Sequence, residues 1–190
     1  MNPGQISEKL RRSTVQVASG RSGSGSGVIV SSTGYILTNA HVIRGRNVSI
    51  ELWDGRRFPV RILAFARRHD LALLKAETIG LPAASFGDSS ILRAGEIVMA
   101  VGNPLGFVGA VSTGAVYQVG PLQGLGPNNW VQAAVRLAPG NSGGPLVNAA
   151  GEIIGINTMI AGGLALAIPG NVANDFYRIA TTPKEGRSAA

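Results

Sequence analysis

Glycine and proline divide this chain into short segments. The 190 residues include 27 glycines and 10 prolines, which disfavours long helices and favours short strands joined by tight turns. Hydrophobic residues make up 45% of the chain and charged residues 14%, so the chain can bury a substantial core and is not of the disordered class. The sequence predicts an all-β protein of one substantial unit or two small barrels.

The composition also restricts the classes of function. Two histidines and no cysteine exclude a Cys–His enzyme and argue against a His/Cys metal site, so no metal or other cofactor is expected. No apolar run approaches the roughly 20 residues of a membrane-spanning helix, and no apolar segment of a signal peptide follows the N-terminus. The net charge of +7 comes from scattered basic residues, which predicts a solvated surface and no nucleic-acid partner. Attraction to acidic partners or to an anionic membrane surface stays open as an alternative.

One loop is built to present a serine. Residues 139–145 read Pro-Gly-Asn-Ser-Gly-Gly-Pro, and glycines let a backbone turn tightly and approach a ligand. The backbone N–H groups around Gly140, Asn141 and Ser142 are therefore candidates for an oxyanion hole, with Gly140 and Ser142 as the pair that can point at one spot. A loop of this composition alone is more often a plain surface loop, and a serine is a weak nucleophile without a base and an orienting acid.

The chain offers both partners. His41 lies in the segment Thr-Asn-Ala-His-Val, and Asp70 directly precedes the apolar run 71–74 that would bury it. The other three aspartates lie in predicted turns or in a predicted terminal helix: Asp54, Asp88 and Asp175. The order His, Asp, Ser is that of the chymotrypsin-type triad, which predicts His41 as general base, Asp70 as its orienting acid and Ser142 as nucleophile.

From about residue 14 to about residue 178 the chain resembles the HtrA/Deg branch of the trypsin-like serine proteases. The matching blocks follow in family order: Gly-Ser-Gly-Val-Ile-Val (25–30), Gly-Tyr-Ile-Leu-Thr-Asn-Ala-His-Val (34–42), Asp-Leu-Ala-Leu-Leu-Lys (70–75), Phe-Gly-Asp-Ser (86–89), Val-Gly-Asn-Pro-Leu-Gly (101–106), the Ser142 loop, Gly-Ile-Asn-Thr (155–158) and Ala-Ile-Pro (167–169). The resemblance implies two packed six-stranded antiparallel β-barrels with a short C-terminal helix. It also implies that His41 and Asp70 come from the first barrel and Ser142 from the second.

The expected organisation follows the chain in order. It comprises an N-terminal lead (1–13) with one helical turn, a first barrel (14–84), a second barrel (85–168), a C-terminal helix (169–180) capped by Asn171, and a tail (181–190). The alternating serines and glycines between residues 21 and 27 are expected where the chain passes close to the cleft.

The residues expected to line the pocket for the substrate residue before the cut support two different preferences, one aliphatic and one acidic. The resemblance implies that Leu137, Met159 and Ile160 line this pocket, which favours small or medium aliphatic side chains. Arg136 lies six residues before Ser142, where trypsins carry the aspartate that selects basic residues. If Arg136 enters the pocket, an acidic cut-site residue is expected instead.

The resemblance implies a serine endopeptidase that hydrolyses unfolded or misfolded proteins through an acyl-enzyme, in protein quality control. The alternative is a chaperone-like binding module on a protease fold. An esterase is disfavoured because the order His, Asp, Ser is the chymotrypsin-type order and not that of the α/β-hydrolases. Asn141 carries no charge that could pair with a newly cleaved N-terminal amine, so activation by N-terminal cleavage is not expected.

The family also suggests the bacterial periplasm or cell envelope, although no signal peptide is visible in this chain. Family members usually carry PDZ domains after the protease, and this chain is expected to hold the protease domain alone. The lead lacks the aromatic residues that commonly build the family's homotrimer, so a homotrimer stays open as an alternative that the N-terminal segment does not support.

Overall fold

The computed structural model describes residues 2–20 and 23–183, and these fold mainly as β-strands. The first six strands are β1 Thr14–Ser19, β2 Gly23–Ser31, β3 Tyr35–Thr38, β4 Val48–Glu51, β5 Arg57–Ala66 and β6 Leu71–Ala76. The next six are β7 Ile97–Gly102, β8 Ala110–Pro121, β9 Asn129–Ala133, β10 Pro145–Asn148, β11 Ile153–Ala161 and β12 Leu164–Pro169. Helix α1 spans Pro3–Ser13 and helix α2 spans Gly170–Thr181.

Each set of six strands closes on itself. The first barrel has the order β1-β2-β3-β6-β5-β4 and the second β10-β11-β12-β9-β8-β7, with neighbouring strands antiparallel. The expected fold of two six-stranded antiparallel barrels followed by a helix is confirmed. The predicted tail from residue 184 onward lies outside the described residues.

Strand β6 shows how the two barrels share their core. Side chains alternate across a strand, so Leu74 packs inside the first barrel while Leu71 and Leu73 face the second barrel. There they meet buried side chains that include Trp130, Ile156 and Leu166. Because β6 is buried on both faces, its sequence is a continuous apolar run instead of an alternating one.

The N-terminal lead forms more helix than the single turn expected. Helix α1 runs for 11 residues, about three turns. Its start is fixed by a capping box, in which the Gln5 backbone N–H donates to Asn2 Oδ1 (2.9 Å) and the Asn2 N–H donates to Gln5 Oε1 (3.0 Å). Its buried residues Ile6 and Leu10 pack against three residues of the second barrel: Met99, Val101 and Val147.

The C-terminal helix is anchored in a different way from the cap expected at Asn171. The N-cap position is Pro169, and Asn171 lies inside the first turn. Its side chain accepts from the Ser89 N–H (3.1 Å) and donates to Asp88 Oδ1 (2.8 Å). Hydrogen bonds from the Ser90 hydroxyl and then from Asn171 lower the pKa of Asp88. Asn171 therefore ties the helix to the connection between the barrels.

The packing of α1 predicts a measurable contribution to stability. Leu10 is fully buried, so Leu10→Ala should lower the free energy of unfolding by about 2–5 kcal/mol. Lys9 is exposed in the same helix, and Lys9→Ala should change it by less than about 0.5 kcal/mol. Urea unfolding of both variants measures the difference. Equal midpoints would contradict the packing of α1 on the second barrel.

Candidate active site

His41 and Asp70 meet where two neighbouring strands of the first barrel end. His41 lies in the short 3-10 turn Ala40–Val42 just after β3, and Asp70 immediately precedes β6. The His41 Nδ1 atom lies 2.8 Å from Asp70 Oδ2, and the His41 backbone N–H donates to Asp70 Oδ1 at 2.9 Å. The carboxylate therefore fixes both the ring and the backbone of His41, and it directs Nδ1–H toward itself so that Nε2 is left as an acceptor.

Asp70 holds an unusual backbone conformation. Its φ of 50° and ψ of 41° lie in the left-handed region, and no other non-glycine residue of the described chain has a positive φ. Aspartate tolerates this region better than most residues. The Asp70 carbonyl accepts hydrogen bonds from the Ala40 N–H (3.1 Å) and from Asn39 Nδ2 (3.0 Å). The conformation persists because the segment around His41 holds it from several sides.

Glycines allow the Ser142 loop to lie directly against the first barrel. Gly143 has a φ of +87°, and a Cβ atom there would collide with Ser26 O and Thr38 Oγ1. The clash involves backbone of β2 and a buried side chain of β3, neither of which can move away easily. Glycine at this position is therefore required by both conformation and space.

Ser26 of β2 fastens this loop across the two barrels. Its backbone N–H donates to the Ser142 carbonyl (2.8 Å), and its hydroxyl donates to the Gly140 carbonyl (2.7 Å). The same hydroxyl accepts from the Asn103 N–H (2.8 Å), and Ser26 is fully buried. Sequence reasoning expected only that small residues bring this segment near the cleft. The specific role of Ser26 depends on the register of the barrels, which a single sequence does not show.

Two backbone donors of the loop are unused. Within the described chain, the N–H groups of Gly140 and Ser142 have no hydrogen-bond acceptor. Asn141 differs, since its N–H donates to the Ala138 carbonyl (3.0 Å). The amide of Asn141, which was also expected at the oxyanion hole, is therefore engaged within the loop, whereas the Gly140 and Ser142 amides are available to a ligand.

The Ser142 hydroxyl points to the second barrel. It donates to the Thr158 carbonyl at 3.0 Å, and none of the hydrogen bonds among the described residues joins it to His41. The structure thus pairs His41 with Asp70 and leaves Ser142 in a separate hydrogen bond. The two parts are linked through Asn39, whose Nδ2 donates to Thr158 Oγ1 (3.1 Å). Sequence reasoning missed Asn39 and Thr158, although a polar residue two positions before His41 at the end of an apolar strand is a usable signal.

A small apolar cavity of about 200 Å³ lies beside Ser142. Leu137, Met159 and Ile160 all line it. Arg136 does not: it lines a separate cavity with Val111 and Ser112. Its side chain is exposed and its backbone N–H donates to Ser112 Oγ (3.0 Å). The structure therefore does not place Arg136 in the pocket beside Ser142.

Across 2–20 and 23–183, no cluster of three or more His, Asp or Glu side chains could hold a metal ion. None of the helices there is both long enough and apolar enough to cross a membrane.

The family model and the curated relatives that match this chain agree with one another. Residues 25–156 match the family model described as a trypsin-like peptidase domain. A protein of Marinomonas sp. with the name "Probable periplasmic serine endoprotease DegP-like" is 44% identical over 163 residues, which are 80% of this chain and 34% of that protein. A protein of Hahella chejuensis with the same name is 43% identical over 161 residues, with the same two shares. The chain thus spans about a third of the length of these curated relatives.

Solved structures agree with the sequence relatives. The HtrA-type protease AlgW with a tripeptide superposes with a TM-score of 0.88 at 34% identity, over 95% of this chain and 64% of that one. AlgW with a decapeptide gives a TM-score of 0.84 at 30% identity, over 94% and 67% of the two chains. The chain therefore belongs to the trypsin-like peptidase domain family and, within it, to the HtrA/Deg type that its sequence resembles.

Proposed function

We propose that this chain is the catalytic part of a serine endopeptidase in which Ser142 is the nucleophile, His41 the general base and Asp70 the acid that orients it. The observation that carries the proposal is the doubly hydrogen-bonded His41–Asp70 pair of the first barrel. Across the contact between the two barrels, which we call the barrel seam, lies the Ser142 loop with its two unused amides. A hydrogen-bonded carboxylate–imidazole pair and two free backbone donors beside a serine are what acyl transfer requires.

The reaction begins with a rotation of the Ser142 side chain. Its hydroxyl leaves the Thr158 carbonyl and turns toward His41 Nε2, which accepts the proton as Oγ attacks the peptide carbonyl. Asp70 stabilises the imidazolium that forms. The N–H groups of Gly140 and Ser142 bind the oxyanion, a contribution of about 2.7–4 kcal/mol for each donor in other proteases.

The second half releases the products. The imidazolium gives its proton to the leaving amine as the C–N bond breaks, which leaves an ester on Ser142. His41 then takes a proton from water, the hydroxide attacks the ester, and the serine regains its proton as the acid product departs. Every proton passes through Nε2, because Nδ1 is held by Asp70.

The substrates are extended segments of unfolded or misfolded polypeptides, and the setting is protein quality control in the bacterial periplasm or cell envelope. The names of the curated relatives support that compartment, and HtrA-type structures with bound peptides support a polypeptide substrate. The apolar lining by Leu137, Met159 and Ile160 favours aliphatic cut-site residues.

A chaperone-like binding module is the second candidate. It is favoured by the resting hydrogen bond of Ser142 to Thr158, which holds the nucleophile away from His41. A binding module would retain unfolded chains without cutting them, so release of peptides during incubation separates the two candidates.

Replacing the nucleophile tests the proposal directly. Ser142→Ala should abolish cleavage of casein, because no other group in the site can form the acyl-enzyme. Ser49→Ala, at a partly buried serine of β4, is the matched control and should cleave as the wild type does. Gel analysis of casein digestion measures both. Since the substitution removes one oxygen atom, the thermal midpoint should scarcely change. Cleavage by Ser142→Ala at the wild-type rate would reject the assigned nucleophile.

Cut-site preference should be aliphatic and broad. A missing methylene in an apolar pocket costs only about 1–3 kcal/mol, so cuts after Val, Ala, Leu and Ile are all expected. Mass-spectrometric sequencing of peptides from a denatured protein measures the preference. Arg136→Ala should leave the pattern unchanged, since Arg136 lines another cavity. Cuts restricted to Asp or Glu, and lost in Arg136→Ala, would overturn the assigned pocket.

The site should be competent without N-terminal processing. Asn141 is uncharged and cannot form an ion pair with a new amine, and helix α1 is already packed on the second barrel. The uncut protein should therefore be labelled by a fluorophosphonate probe, and Ser142→Ala should not be. If only an N-terminally trimmed form became labelled, the inference from Asn141 would be wrong.

A further inference from the structure

A single buried asparagine spans the two halves of the site. Asn39 is fully buried, and its Nδ2 group donates both to the Asp70 carbonyl of the first barrel (3.0 Å) and to Thr158 Oγ1 of the second (3.1 Å). The orientation of the amide follows from chemistry, since a carbonyl oxygen can only accept a hydrogen bond. Both donor hydrogens of Asn39 are thus used, one on Asp70 of the proposed triad and one on Thr158, which contacts Ser142.

At the first end of this bridge is the residue that holds His41. Asp70 has the left-handed backbone described above, and its carboxylate binds His41 through both oxygens. The orientation of a carboxylate depends on the backbone that carries it. A hydrogen bond from Asn39 to the Asp70 carbonyl therefore bears on where the carboxylate meets the imidazole.

At the second end is the residue that holds Ser142. The Thr158 hydroxyl accepts from Asn39 and donates to the Ile156 carbonyl (3.1 Å), while the Thr158 carbonyl accepts from Ser142 Oγ (3.0 Å). The position of Thr158 thus sets both the resting acceptor of the nucleophile and the start of the Met159–Ile160 pocket wall.

Stability does not explain Asn39 well. Its Oδ1 atom is buried and has no partner among the described residues, which is an unfavourable arrangement for a buried polar group. If its side chain were removed, the Asp70 carbonyl would keep the Ala40 N–H and the Thr158 hydroxyl would keep the Ile156 carbonyl. The fold can therefore satisfy both partners without Asn39.

We infer that Asn39 is a positioning residue, which fixes Asp70 and Thr158 relative to one another and so aligns His41 with Ser142 across the barrel seam. The inference rests on the proposed peptidase function. It assigns to Asn39 no contact with substrate and no proton transfer.

Kinetics of Asn39→Ala on a fluorogenic peptide with valine at the cut site test this role. A displacement of about 1 Å in a catalytic group can cost about 100-fold in rate, so kcat per active site, counted by fluorophosphonate titration, should fall by about that factor. KM should change far less than kcat, because Asn39 itself lines neither the pocket nor the oxyanion donors and reaches the pocket only through Thr158. Gln132→Ala is the matched control, since Gln132 is another buried amide and its side chain has no hydrogen bond to the triad; its kcat should equal that of the wild type.

A double-variant cycle separates positioning from a general loss of packing. Thr158→Val keeps the side-chain volume but removes the second acceptor of Asn39, and it should lower kcat less than Asn39→Ala does. The double variant should be no slower than Asn39→Ala, because both changes break the same bridge. Wild-type kcat in Asn39→Ala, or fully additive effects, would overturn the inference. If Asn39→Ala does not fold, wild-type kcat in Thr158→Val overturns it. Absence of cleavage by the wild type itself would reject the proposed function and this inference together.

Discussion

The hydrogen bonds of Ser26 to the Ser142 loop are the contact on which the site depends. His41 and Asp70 belong to one barrel and Ser142 to the other, so their alignment is a property of the seam between the barrels. Ser26 closes that seam with two bonds of 2.7 and 2.8 Å to the carbonyls on either side of Asn141. With those carbonyls bound to Ser26, the amides of Gly140 and Ser142 have no partner in the described part of the chain.

The apolar part of the seam gives this contact its rigidity. Strand β6 places Leu71 and Leu73 against the second barrel, and Asp70 directly precedes Leu71. A residue at the head of a doubly buried strand moves little, because displacement would open cavities on both faces at considerable cost. The left-handed backbone conformation of Asp70 is tolerated here, because a strained conformation persists where several surrounding contacts hold it.

Local sequence predicted the parts of this molecule that depend on local chemistry. His41, Asp70 and the Ser142 loop were identified from short motifs, and the two barrels from strand patterns together with the family resemblance. Three features could not be predicted from local sequence. Helix α1 depends on its packing partners on β7 and β10, Asn171 serves a tertiary contact in place of a cap, and Arg136 lies outside the pocket. Each depends on which groups of the folded chain a side chain meets, and none of the short motifs carries that tertiary information.

The shape of the site constrains its substrate more than any charge does. A cavity of about 200 Å³ lined by Leu137, Met159 and Ile160 has room for one apolar side chain, and the proposed nucleophile Ser142 can attack only a carbonyl brought close to that cavity. In a folded protein such a side chain is usually buried and its backbone is engaged in secondary structure. Unfolding is what makes both available together. The proposed preference for unfolded chains therefore requires no separate recognition element, because it follows from an apolar pocket placed beside two backbone donors that have no partner among the described residues.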